Sequence, residues 1–239
     1  MQYSAEEIRT GTVNLFDHFA ELMPKEGNSI GLITVQNGVD TSFKGIGTMT
    51  QSVIDKVPEG TLCLAMHNPS SGIFFDGIRA FFERCGFQSR IVRNTAQMMQ
   101  VIAETIHKIN PEMTWLDVRH SEAGVIGRRG IEMLSEEYKK LLKQHLYNIS
   151  LGPAKKIPTE YCLEAYNLYS EKDSITGWWA HEQDEFTYNL EILKCITPRS
   201  ERILFLADHG FLQPTYQKGL EGRLEKIQKE RGFYNGNTR

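Results

Sequence analysis

The sequence predicts an α/β fold in one main domain: a mostly parallel sheet of about six strands, helices on both faces, and no large cap. Two observations lead there. Short, β-branched apolar runs alternate with amphipathic stretches almost from end to end, and strands so separated need crossover connections, hence parallel neighbours. The chain has 239 residues, 40% hydrophobic and 24% charged, which is enough to bury both faces of such a sheet.

Each element has its own signal. Ser4 followed by Glu7 reads as a capping box, and Ile8, Leu15, Phe16, Phe19, Leu22 and Met23 recur near helical spacing. Residues 1–28 are therefore expected to form a helix and linker packed on the main domain, 29–232, with 233–239 a flexible tail. Residues 29–35 (SIGLITV) form a short β-branched run bounded by Gly38 and Asp40, a buried strand. A helix should follow from Ser42 to about Lys56, then a second strand over 61–67. After the loop Asn68-Pro69-Ser70-Ser71, the apolar set Ile73, Phe74, Phe75, Ile78, Phe81 and Phe82 predicts a helix that stops at Gly86.

A helix over Thr95–Ile109 ends before Pro111. Residues 113–120 are the third strand, 122–145 one long helix with a charged outer face, and 146–151 and 161–169 the fourth and fifth strands. A helix-rich stretch over about 179–195 should lead to the sixth strand, 201–207, and a last helix from about Thr215 to Arg231. Only residues 152–160 separate the fourth and fifth strands, which predicts an open site. The connection 68–112 is the longest and the best candidate for partial cover.

Composition excludes several classes. The net charge is −3 and the pI about 6.2, with no Lys/Arg block dominating a face, so no nucleic-acid partner is expected. No stretch of about 18 apolar residues occurs, so no membrane span is expected. The start, MQYSAEEIRTG, lacks a basic region followed by an apolar run. The expected location is the cytoplasm, or outside the cell by a route without a cleaved signal. Cys63, Cys85, Cys162 and Cys195 match no CxxC spacing and read as reduced thiols. No HxH or HExxH pair exists, and Gly45-Ile46-Gly47 lacks the rest of a phosphate or dinucleotide loop. Neither metal nor cofactor is therefore expected.

In parallel sheets, ligands sit beyond the carboxyl ends of the strands. Three residues in such loops stand out: Ser121 in RHSEAG, Asp173 in YSEKDSI and His209 in ADHGF. A serine hydroxyl is a poor nucleophile at neutral pH. It needs a base within hydrogen-bond reach, and the base needs a carboxylate to hold its tautomer and stabilise its cation. A sharp strand–turn–helix elbow would lift the hydroxyl above the sheet and aim the Glu122 N–H at a developing oxyanion. A second backbone donor is expected from Gly38 and Val39, in the loop after the first strand, where glycine permits close approach.

Each residue also has a plainer role open to it. Ser121 is well placed as a helix N-cap, Asp173 as a turn residue with Glu171 as a competing acid, and His209 as a loop histidine. His181 is the rival base, while His120 should pack or hydrogen-bond beside the site. Phe74, Phe75, Trp178 and Trp179 are either packing residues or the apolar wall for an acyl group.

Taken together, the elbow and the Ser–Asp–His order resemble the α/β-hydrolase superfamily over about residues 29–230. A more local likeness is to a chlamydial family of uncharacterised proteins. It rests on Asn37-Gly38-Val39-Asp40-Thr41-Ser42, on His120-Ser121-Glu122, on Tyr169-Ser170-Glu171-Lys172-Asp173, and on the stretch from Asp208 to Tyr216 (DHGFLQPTY). The resemblance implies the hydrolase fold and the placement of the three residues. Arg119 and Ala123 stand where the usual G-x-S-x-G elbow has glycines, and Arg119 departs from the small residue expected there.

The expected activity is hydrolysis of a carboxylic ester or thioester of a small or lipid-like acyl substrate. The alternative, motivated by Arg119, is a catalytically inactive binding or effector protein on the same scaffold.

Overall fold

Thr114–His120 is buried along its whole length, as a central strand of a sheet covered on both faces must be. The computed structural model describes residues 30–38, 41–58, 61–68, 89–174, 185–201 and 208–231. Within them lie β1 (Ile30–Gln36), α1 (Phe43–Ile54), β2 (Leu62–Met66), α2 (Arg90–Ile109) and β3 (Thr114–His120). They continue with α3 (Glu122–Glu132), α4 (Glu136–His145), β4 (Leu146–Leu151), β5 (Glu164–Ser170), β6 (Leu190–Leu193) and α5 (Pro214–Arg231). The strands form one six-stranded sheet in the order β2-β1-β3-β4-β5-β6. Every pairing is parallel, and the fold is α/β.

Strand alternation sorts the core into two layers. On one face Ile33, Val35, Leu116, Val118, Ile149 and Leu168 meet Ile46, Met49 and Val53 of α1 and Tyr216, Leu220, Leu224 and Ile227 of α5. On the other, Leu32, Trp115, Leu146 and Ala165 meet Met99, Ile102 and Ile106 of α2, with Ile131 of α3 and Leu142 of α4. The order of strands reverses between β1 and β3, so the loops leaving their carboxyl ends face each other. Such a switch point is where an open α/β sheet forms a crevice.

The second face carries a buried polar layer near the carboxyl ends. Asp117 accepts from Thr34 Oγ1 at 2.7 Å and from Arg119 Nε at 2.5 Å. Thr34 Oγ1 accepts from Trp115 Nε1 at 2.8 Å. Arg119 Nη1 donates to Gln36 Oε1 and to the Ala123 carbonyl. Asn148 Nδ2 reaches Asp117 Oδ2, and Ser150 Oγ donates to Asn148 Oδ1. Buried polar groups demand such partners.

Two expectations need correction. The helix predicted over 122–145 is two helices, α3 and α4, separated at Met133–Ser135. Ser135 is extended (φ −65°, ψ 160°) and begins α4, with Glu136 and Glu137 in its first turn, where acidic residues favour the positive helix end. That pattern is itself a start signal, masked in the sequence by the continuous charged face. The helix-rich stretch predicted over 179–195 contains strand β6 instead, paired with β5 from Asn167↔Leu190 to Ser170↔Leu193. Leu190 and Ile192 are exposed there, so pairing with a neighbouring strand, and not a buried apolar stripe, determined the conformation. The N-terminal helix, the apolar helix after residue 72, the strand over 201–207 and the tail lie outside the described residues, apart from Glu201 in a short 3₁₀ turn, Arg199–Glu201.

Candidate active site

Ser121 follows β3 directly and begins α3. Its backbone has φ 57° and ψ −121°; among the described residues it is the one non-glycine with positive φ. A side chain in that region is strained and persists only where its surroundings hold it. Here they do: Ser121 N–H donates to the Leu151 carbonyl at 3.1 Å, and the Ser121 carbonyl accepts from Gly124 and Ala154 N–H, each at 3.0 Å. The hydroxyl makes no N-cap hydrogen bond, so capping is not its role. It lies 2.8 Å from His209 Nε2.

His209 Nδ1 is in turn 2.7 Å from Asp173 Oδ2. The three sequence-distant residues thus form one hydrogen-bonded chain, hydroxyl to imidazole to carboxylate, above the carboxyl ends of β3 and β5. All three are buried. Glu171, the competing acid, is exposed and its Oε1 accepts from Cys195 N–H at 3.3 Å. The rival base His181 lies outside the described residues.

The loops around this chain are cross-linked. Asp208 N–H donates to the Lys172 carbonyl at 3.4 Å, and Ser170 Oγ donates to Asp208 Oδ2 at 2.5 Å, tying the loop of His209 to that of Asp173. His120 Nε2 donates to the His209 carbonyl at 2.6 Å, and its ring centroid lies 5.0 Å from that of His209. Burial, then the neighbouring His209, pull the His120 imidazole down to about 3 despite its backbone hydrogen bond and Asp173. It is therefore a neutral donor at ordinary pH.

The side facing β1 is equally constrained. A Cβ at Gly38 would fall 2.6 Å from Ser121 Cβ, so the loop after β1 approaches the elbow as only glycine allows. Asn37 Nδ2 donates to the carbonyls of Gly38 and Asn68, and Asn37 Oδ1 accepts from Asn68 N–H at 2.7 Å. Asn68 Nδ2 donates to Glu122 Oε2 at 2.5 Å. Gly38 and Glu122, two of the expected oxyanion donors, therefore border Ser121, while Val39 lies outside the described residues. So do Phe74, Phe75, Trp178 and Trp179.

Arg119 is accommodated by geometry that the elbow pattern alone does not reveal. Strand alternation sends its side chain to the face opposite His120, where it pairs with Asp117 and Gln36. A Cβ at Gly127 would lie 2.6 Å from the guanidinium, so a glycine one turn into α3 makes the room that a glycine at 119 ordinarily would.

Four further residues that pack around this chain were not among the expected site residues: Asn37, Asn68, Gly152 and Tyr216. The first two had a signal, since Asn-Gly follows β1 directly and Asn-Pro follows β2 after one residue, His67. Tyr216 shares a helical stripe with Leu220, Leu224 and Ile227 and so looks like core.

Among the described residues no group of three or more His, Cys, Asp or Glu side chains is arranged to hold a metal ion. Cys63, Cys162 and Cys195 are free thiols. No helix there is long and apolar enough to cross a membrane. Compared with known proteins, the chain matches no family model and no curated protein.

Proposed function

We propose that this chain is a serine hydrolase acting on a carboxylic ester or thioester. The observation that carries the reading is the continuous hydrogen-bonded chain Ser121–His209–Asp173, mounted on a strained backbone at Ser121. In this reading Ser121 Oγ attacks the substrate carbonyl carbon while its proton passes to His209 Nε2. Asp173 holds Nδ1–H and stabilises the imidazolium. The carbonyl oxygen gathers negative charge facing the N–H of Glu122 at the start of α3 and the loop at Gly38. His209 then returns the proton to the departing alcohol or thiol, leaving an acyl ester on Ser121. Water, deprotonated by the same imidazole, releases the acid and restores the hydroxyl.

The alternative of an inactive scaffold drew on Arg119. That side chain is buried and paired on the far side of β3 from His209, so its bulk does not weigh against the nucleophile. Labelling with a fluorophosphonate probe tests the proposal. Covalent attachment at Ser121, abolished in Ser121→Ala, is the expected result. A folded protein inert to several such probes and to activated esters would leave the scaffold reading standing.

A further inference from the structure

The carboxylate of Asp173 is bonded from a second side. Tyr216 OH, on the first turn of α5, donates to Asp173 Oδ2 at 2.5 Å, the same oxygen that faces His209 Nδ1 at 2.7 Å. Its proton has one direction to go, because the phenol oxygen itself accepts from Ser170 N–H at 3.2 Å. Gly152 makes room for this convergence. Its φ is +51°, and a Cβ there would lie 2.7 Å from the Tyr216 hydroxyl, 2.9 Å from Asp173 Oδ2 and 3.2 Å from His209 Nδ1.

We infer that Tyr216 is a positioning residue that sets, through Asp173, how strongly the His209 imidazole holds a proton. The inference rests on the hydrolase reading for its consequence in turnover, but not for its effect on the Asp173–His209 pair. A hydrogen bond into a carboxylate withdraws charge from it. The less negative Asp173 Oδ2 is, the less it favours an imidazolium, and the more weakly His209 keeps the proton taken from Ser121. The same bond leaves the carboxylate one preferred orientation, aimed at Nδ1.

Burial, then the charge and hydrogen bond of Asp173, keep the Tyr216 phenol well above its usual range, so it remains a donor wherever the enzyme would work. Among the described residues, the other titratable groups facing the pair include His120 from β3, neutral above about pH 3, and Asp208, whose Oδ2 accepts from Ser170. Neither supplies the bond that Tyr216 makes.

The test is Tyr216→Phe, which keeps the ring and removes the donor. The ring titration of His209, followed by NMR in the full chain, should move to higher pH by about half a unit to one unit. The acid limb of kcat/KM against pH should move with it, and kcat should fall by about tenfold with KM little changed. A folded Phe variant whose His209 titration coincides with that of the wild type would overturn the inference. A moved titration in a protein that neither labels nor turns over would keep the inference and remove the hydrolase reading. If the Phe variant does not fold, 3-fluorotyrosine at position 216 takes its place. As a stronger donor it should lower the midpoint, and an unmoved or raised midpoint again overturns the inference.

Discussion

Two buried polar clusters meet at β3, one on each side of it, and they are built differently. Beneath α3, Arg119, Asp117, Gln36, Thr34, Asn148 and Ser150 form a network in which the carboxylate, amides, hydroxyls and guanidinium largely satisfy one another; Arg119 Nη2 is its one unpartnered buried atom. Above the carboxyl ends, Tyr216, Asp173, His209 and Ser121 form a chain with a direction, each group bonded to the next and the last a hydroxyl on strained backbone. The first arrangement can only hold parts in place. The second can pass a proton along. Adjacent residues of one strand, Arg119 and His120, thus serve opposite purposes because the pleat sends them to opposite faces.

From that contrast, substitutions above the sheet should lose rate before stability, and those below it stability before rate. The largest effect is expected for Ser121→Ala. Turnover of an activated ester should fall by about 10⁴-fold or more, while the urea midpoint stays near that of the wild type. A variant that kept most of its turnover would show that the Ser121 hydroxyl is not the end of a proton path.

Next comes Arg119→Ala, which strands Asp117 without its buried cation. Unfolding free energy should drop by about 3–5 kcal/mol, read from urea denaturation. The molecules that remain folded should still take up fluorophosphonate. Loss of labelling in a folded variant would merge the two clusters into one functional unit.

His120→Phe keeps a ring but removes the donor to the His209 carbonyl. About a tenfold loss in kcat is expected from a misplaced base loop. The same variant has a pH signature. Folding holds His120 neutral, with a value near 3 against 6.5 in a solvated imidazole. The unfolded chain therefore takes up a proton between those values that the folded protein does not. The contribution of His120 to stability is present above about 6.5 and is lost as pH falls toward 3. Between pH 7 and pH 5 the wild type should lose more in Tm than the Phe variant; equal losses would show that His120 titrates freely. The smallest effect is expected for Glu171→Gln, at an exposed acid whose Oε1 accepts from the backbone N–H of Cys195. Turnover should stay within about twofold and stability within about 0.5 kcal/mol. A large loss in rate would move the role of acid from Asp173 to Glu171.

Much of this was legible in the residue order. The strands that became β1, β3, β4 and β5 show as apolar, β-branched runs, and the loops after them hold Ser121 and Asp173 within a few residues of a strand end. What misled was local ambiguity. A charged helical face ran through the Ser135 start signal, and the apolar residues of 190–193 read equally well as part of a helix.

By itself the sequence determined the alternation that demands a parallel sheet, the loops in which a hydroxyl, a carboxylate and an imidazole stand, and their order along the chain. These are local or periodic properties, and periodicity survives in one dimension. Only the tertiary structure decided that Asp173 and not Glu171 meets His209, that Tyr216 bonds the far side of that carboxylate, and that Gly127 makes space for Arg119. Those outcomes depend on which atoms occupy a shared volume a few ångströms across, drawn from segments as far apart as α5 and β3, and spacing along the chain carries no record of that volume.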